Sequence, residues 1–353
     1  MTYDHIDDDD ETTVAAPMPG VSAEAFKAFT ATSALAAKLV RLEEHFEQTA
    51  TYRRFQKRVF DVLAAREARM GKGKGELKGA MLIGPAGAGK SRIVEEIIKE
   101  HHALTQHVGN WQYGTRILSV VVPGRSTLKE TLNAILKALG HPAKGRRDEE
   151  YLASLVTTYL KLCGVAAVHL DEVQDSGRYK TKDSTDPFLK VFRNLMQAKD
   201  WPVCLIMTAT PEATDILNGD KTFLRRMKPM EMRPMTFASD GKVLRDALRQ
   251  LFENAGLEGS GILSQDEFIK ILIHASAGRF GVAVEMSIEA IGACLGEESA
   301  EIDMAHFADA YEMRMDCDEE LNPFVSVNWK LIDTMNALQR YEEERQVKRR
   351  RKT

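Results

Sequence analysis

The stretch "GAMLIGPAGAGKSRIVEEII", residues 79–98, constrains this chain more than any other. An apolar run, a glycine-rich turn and a helical apolar period follow one another without a gap. Gly84-Pro85-Ala86-Gly87-Ala88-Gly89-Lys90-Ser91 fits G-x-x-x-x-G-K-[ST], the phosphate-binding loop. Its glycines let backbone N–H groups turn inward and approach a polyphosphate. Lys90 would reach the β- and γ-phosphates, and the Ser91 hydroxyl would meet Mg²⁺. We group Arg92, the next residue, with this nucleotide-binding set. The helix that follows carries Ile93, Val94, Ile97 and Ile98 on one face and points its positive end at the same anion. A strand before and a helix after separate the motif from a chance glycine turn, and both patterns are present.

The surrounding chain alternates in the same way. Residues 22–47 and 51–69 read as two helices, the second with basic residues between its apolar ones. The strand at 80–83 is followed by the loop and a helix to about residue 102. "TRILSVVVP" (115–123) is β-branched and alternating, and so reads as a strand. Residues 126–140 read as a helix with Ser126 as N-cap and Gly140 as its stop, and 148–164 as another. "VAAVHL" (165–170) is a buried strand, 186–199 a helix and 202–210 a strand. Strands alternating with helices imply an α/β fold with a mostly parallel sheet flanked by helices. After about residue 238 the strands stop, and helical patterns at 241–255, 264–276 and 281–295 suggest a small α-helical lid. The expected organisation is an acidic, disordered tail over 1–20 and N-terminal helices with the nucleotide-binding domain over 21–237. The lid then spans 238–320, and a C-terminal segment with a basic tail spans 321–353.

Composition narrows the class. The chain has 353 residues, 44% hydrophobic and 28% charged, which is ordinary for a globular protein of about two domains. It shows neither a membrane-spanning run nor a signal peptide, so a cytoplasmic protein with no membrane attachment is expected. Cys163, Cys204, Cys294 and Cys317 lack C-x-x-C pairing and read as buried thiols. The net charge of −4 gives no global basic field, so any nucleic-acid site must be local.

Four further signals complete the constellation. In "VAAVHLDEVQD" Asp171 and Glu172 stand at a strand's C-terminal end, where open parallel sheets bind ligands. Asp171 would hold Mg²⁺, mostly through water, and Glu172 would polarise the water that attacks the γ-phosphate. Thr208, in Thr208-Ala209-Thr210 at the next strand's end, offers a hydroxyl to sense that phosphate or orient the water. Arg225 and Arg226, displaced from their own loop, have the sequence look of a finger for a neighbouring subunit. Arg279 starts a lid helix and is expected to reach back to the phosphates.

This order of motifs resembles AAA+ P-loop ATPases. "VVVPGRSTLKETLNAILKALG", "LIMTATPEA", "RRMKPMEMRPM" and the "NPF" at 322–324 resemble more narrowly the TniB/TnsC family of Tn7-like transposon ATPases, related to phage MuB. The likeness covers about residues 40–330. It implies an ATP-dependent ring or filament on double-stranded DNA that hydrolyses ATP. It also implies a go-between linking a target-selection protein (TniQ-like) to a transposase, including in elements guided by CRISPR effectors. Local basic residues suit non-specific phosphate contact: Arg125 and Lys129 after the second strand, Lys144, Arg146 and Arg147 in a loop, and Arg178, Lys180 and Lys182 around Tyr179. The alternatives are another AAA+ function, such as an ExeA-like secretion ATPase or an initiator-like DNA loader, and a scaffold with a structural nucleotide. Intact Lys90, Asp171 and Glu172 argue against the scaffold.

Overall fold

A computed structural model describes residues 23–70, 72, 76–107, 113–124, 126–143, 145, 147–175, 187–213 and 220–338. The elements run α1 (Ala23–Glu43), α2 (Ala50–Glu67), β1 (Ala80–Ile83), α3 (Lys90–His107), β2 (Arg116–Val121), α4 (Leu128–Ala138), α5 (Glu149–Leu162) and β3 (Val165–Asp171). They continue with α6 (Pro187–Met196), β4 (Cys204–Ala209), α7 (Lys221–Met227) and β5 (Pro229–Glu231). Five helices close the series: α8 (Phe237–Ala255), α9 (Ser260–Leu263), α10 (Asp266–Ala275), α11 (Phe280–Gly296) and α12 (Met304–Met315). The sheet order is β2-β3-β4-β1-β5, and every pairing is parallel.

Burial follows position in the sheet. Strands β1, β3 and β4 are buried along their whole length, which is why they read as continuous apolar runs, whereas edge strand β2 alternates. β1 lies beside β4, and β3 lies on the other side of β4. The loop after β1 and the acidic pair after β3 therefore flank the end of β4. The short β5 and helix α7 had no clear sequence signal. α2 buries Tyr52, Phe55, Val59, Val62 and Leu63 and packs on β1, β3 and β4.

Local chemistry sets the helix ends. α4 is capped by Thr127 rather than by Ser126. The Thr127 side chain accepts from Glu130 N–H and the Glu130 carboxylate accepts from Thr127 N–H, a reciprocal box worth about 1 kcal/mol. Ser126 is buried instead and shares a hydrogen bond with the Thr131 hydroxyl. Gly140 stops the helix in the left-handed region, as its sequence position suggests. α5 starts on Asp148, which accepts from Tyr151 N–H.

Two apolar cores form. One surrounds the sheet, from Tyr52 to Met230; the other joins α8 to α12. Leu42 of α1 belongs to the second core, and α1 packs on α8 and α11. The first helix thus sits with the lid, although its place in sequence adjoins the nucleotide-binding domain. Phe324 and Leu338, from beyond residue 320, join the same core, so this part of the C-terminal segment packs as lid. The acidic tail and the basic terminus lie outside the described residues. Among the described residues no single helix is long and apolar enough to cross a membrane. The four cysteines are unpaired, with Cys204 and Cys294 buried and Cys163 and Cys317 half-buried.

Candidate nucleotide site

The turn after β1 adopts the conformation its glycines permit. Gly87 and Gly89 have φ of 68° and 89°, a region that disfavours side chains bearing a Cβ. The loop is tied to the sheet by Gly84 N–H donating to the Ala209 carbonyl at 3.1 Å. Lys90 is buried at the start of α3, and its ammonium donates to the carbonyls of Gly84 and Pro85, 2.9 Å from each. Pro85, Ala88, Lys90, Ser91 and Arg92 line one cleft of about 660 Å³, together with Gly87 and Gly89. Arg92 donates to the Glu44 carbonyl at 2.6 Å and so ties α3 to the chain between α1 and α2.

The lid closes over this loop. Met235 N–H donates to the Gly278 carbonyl at 2.7 Å, which fixes the turn before α11. Arg279 then stands at the N-terminal end of α11 and is buried, with its guanidinium donating to the Ala86 carbonyl at 3.2 Å. Arg279, expected from sequence to reach back to the phosphates, lies against the loop that would hold them. Gly281 is closer still: a Cβ there would clash with the Gly87 carbonyl oxygen and lie 3.1 Å from Gly89 N. Sequence reading passed over Gly281, although it stands in the same "SAGRFG" segment. It also missed Arg314, which lines the cleft and bonds to Glu285 and Glu289 of α11. Burial disfavours the Arg314 charge, but bonds and charges from Glu289 and Glu285 outweigh it and hold the guanidinium above its ordinary range.

The acidic pair is built differently from its sequence reading in one respect. Asp171 is buried at the end of β3, and its Oδ1 accepts Glu172 N–H at 3.0 Å. The same oxygen accepts the Thr208 hydroxyl, so Thr208 is committed to Asp171 and is wholly buried. This corrects Thr208 as a direct phosphate sensor: its hydroxyl hydrogen is already spent on the carboxylate. Behind it lies His169, which bonds to Thr208 at 3.1 Å and to Ser119 of β2 at 2.9 Å. Burial pushes the His169 imidazole well below its usual range, with the Asp171 charge opposing. Glu172 faces the cleft with φ of 59°. Gln174, also unmarked by any sequence pattern, donates to the Glu172 carboxylate and accepts Thr210 N–H at 3.0 Å.

The two arginines of α7 part company. The Arg226 side chain is only 4% exposed and is held by Glu76 and the Thr222 carbonyl, which corrects it as a finger. The Arg225 side chain is 74% exposed and lies 3.6 Å from Glu76. Of the basic residues named for DNA contact, Lys129 and Arg147 are exposed, and the Arg147 guanidinium lies over the Tyr151 ring. Arg125, Lys144, Arg146, Arg178, Lys180 and Lys182 lie outside the described residues.

The family model described as bacterial TniB protein matches residues 59–236. The chain belongs to the TniB family. No curated protein matches this TniB-family chain in sequence. Among solved structures it is similar to ORC1 of Aeropyrum pernix in complex with DNA, at 15% identity over 78% of this chain and 68% of that one, with a TM-score of 0.55. It is also similar to Cdc6p from Pyrobaculum aerophilum, at 13% identity over 76% and 68%, with a TM-score of 0.55. Drosophila ORC bound to DNA is similar at 13% identity over 81% and 67%, with a TM-score of 0.51. These likenesses are of fold, and the fold is that of AAA+ P-loop ATPases. As a member of the TniB family the protein is an ATPase. The glycine cradle, the buried Lys90 and the Asp171–Glu172 pair fit a nucleotide triphosphate. Ser91 and Asp171 would hold its Mg²⁺, which neutralises phosphate charge during hydrolysis.

Proposed function

We propose that this protein is an ATP-dependent regulator of transposition that oligomerises on duplex DNA in the cytoplasm and links a TniQ-like target selector to a transposase. The observation that carries the reading is the TniB family match over residues 59–236, which spans the phosphate loop, the acidic pair and α7. ATP held with Mg²⁺ between the loop and Arg279 is hydrolysed by water that Glu172 polarises. Arg225, with its side chain 74% exposed, serves the site of a neighbouring subunit. Repetition of Lys129 and its neighbours around the assembly gives a basic groove that tracks phosphates rather than bases. An initiator-like DNA loader is the second reading, favoured by the fold likeness to ORC1 and Cdc6p.

Fluorescence anisotropy of labelled duplexes of unrelated sequence tests the DNA step. Binding is expected with ATP, weak with ADP or no nucleotide, similar for all sequences and steeply reduced by salt as counterions are released. Arg125→Ala with Lys129→Ala lowers affinity alike for every duplex and flattens the salt slope. Equal affinity in all nucleotide states overturns the proposal. Stimulation of a transposase from the same genome, against loading of a helicase, separates the two readings.

A further inference from the structure

His169 interrupts the apolar run of β3. Its neighbours Ala166, Ala167, Val168 and Leu170 are all at most 2% exposed, and His169 itself is 1% exposed. A polar group so placed is destabilising if left unpaired, and His169 has hydrogen-bond partners. They come from the strands on either side. In register His169 lies opposite Ser119 of β2 and Ile206 of β4, and Thr208 is two residues beyond Ile206 on the same face.

The directions of the bonds are determined by chemistry. The Thr208 hydroxyl has one hydrogen and donates it to Asp171 Oδ1. Its oxygen must then accept from His169, so Nε2 carries the ring hydrogen. Nδ1 is left as an acceptor and takes the Ser119 hydroxyl hydrogen. Every donor in the series Ser119, His169, Thr208 points towards Asp171. Oδ1 also receives Glu172 N–H, so both hydrogen bonds the carboxylate accepts among the described residues fall on the same oxygen.

We propose that His169 is a positioning residue for the metal-binding carboxylate: acting through Thr208, it keeps Asp171 Oδ1 filled and leaves the other oxygen for the hydrated Mg²⁺ of bound nucleotide. Ser119 fixes the imidazole tautomer from the edge strand. This inference rests on the nucleotide-site reading above. Partners of this kind, one step behind a metal ligand, typically change metal affinity about 10–100-fold when removed.

The test uses the full chain and a fluorescent, slowly hydrolysed ATP analogue, and reads the Mg²⁺ concentration that gives half-maximal binding. His169→Leu and Thr208→Val each raise that midpoint about tenfold, while binding measured in EDTA stays at the wild-type level. His169→Gln, whose amide can still donate to Thr208, recovers part of the loss. In the Thr208→Val background His169→Leu adds nothing further, because the effect passes through the hydroxyl. An unchanged midpoint in either single variant, or additive effects in the double variant, overturns the proposal. If His169→Leu does not fold, Thr208→Val and His169→Gln decide: a wild-type midpoint in Thr208→Val overturns it. The underlying site is checked separately with Lys90→Ala. If that variant binds the analogue like wild type, or wild-type binding ignores Mg²⁺, the nucleotide-site reading itself has failed.

Discussion

Glu172, the residue to which the proposed function gives the attacking water, occupies a backbone position that few side chains adopt. A φ of 59° costs a non-glycine residue about 1–3 kcal/mol and persists only when neighbours over-determine it. Here they do: its N–H is held by Asp171 and its carboxylate by Gln174. Glu172→Gln keeps the shape and removes the base. Phosphate release is therefore expected to fall about 10²–10⁴-fold while fluorescent-ATP affinity stays near wild type. Lys90→Ala has the opposite signature and weakens binding itself, since Lys90 ties the loop carbonyls and would offer its positive charge to the phosphates. Comparable turnover in wild type and Glu172→Gln would remove Glu172 from the mechanism.

At the scale of one element, α7 gives adjacent arginines opposite surroundings. A helix turns about 100° per residue, so one side chain faces inward where the next faces out. Arg226 is the inward one, and Arg226→Ala leaves its Glu76 and Thr222 partners unmet; a lower melting temperature is expected, with ATP affinity unchanged. Arg225→Ala leaves the melting temperature alone and lowers turnover of the DNA-bound assembly by about 10³-fold or more, the usual worth of such a finger. Mixing it with Glu172→Gln restores some turnover, because some mixed interfaces then carry an intact finger and an intact base. Turnover of Arg225→Ala equal to wild type at every protein concentration would refute the assignment.

Across the whole molecule, the lid and the sheet domain meet at the phosphate loop. Gly281 allows that meeting, since its missing side chain lets α11 rest on Gly87. Gly281→Ala places a methyl group against loop backbone, which cannot give way as a flexible side chain would. The lid must tilt away and carry Arg279 with it. Nucleotide affinity is expected to fall about tenfold, equivalent to about 1.4 kcal/mol, with the circular dichroism spectrum unchanged. Wild-type affinity in Gly281→Ala would show that this contact is not needed to hold the ligand.

What could be read from the chain alone was local. The phosphate loop, the Asp171–Glu172 pair and the long helices announce themselves by spacing and period within a few residues, because glycine torsions, strand ends and helix faces are short-range properties. The place of Arg279 at the start of a patterned helix was legible for the same reason. Short β5 and α7 were not, since so few residues carry no period. Nor could sequence separate Arg225 from Arg226, place α1 on the lid, or show that Thr208 is committed to Asp171 and backed by His169 and Ser119. Those outcomes depend on partners far away in the chain, brought together by the strand order β2-β3-β4-β1-β5 and by the docking of α11 on the loop. Burial and hydrogen-bond direction exist only once those strands and helices are assembled.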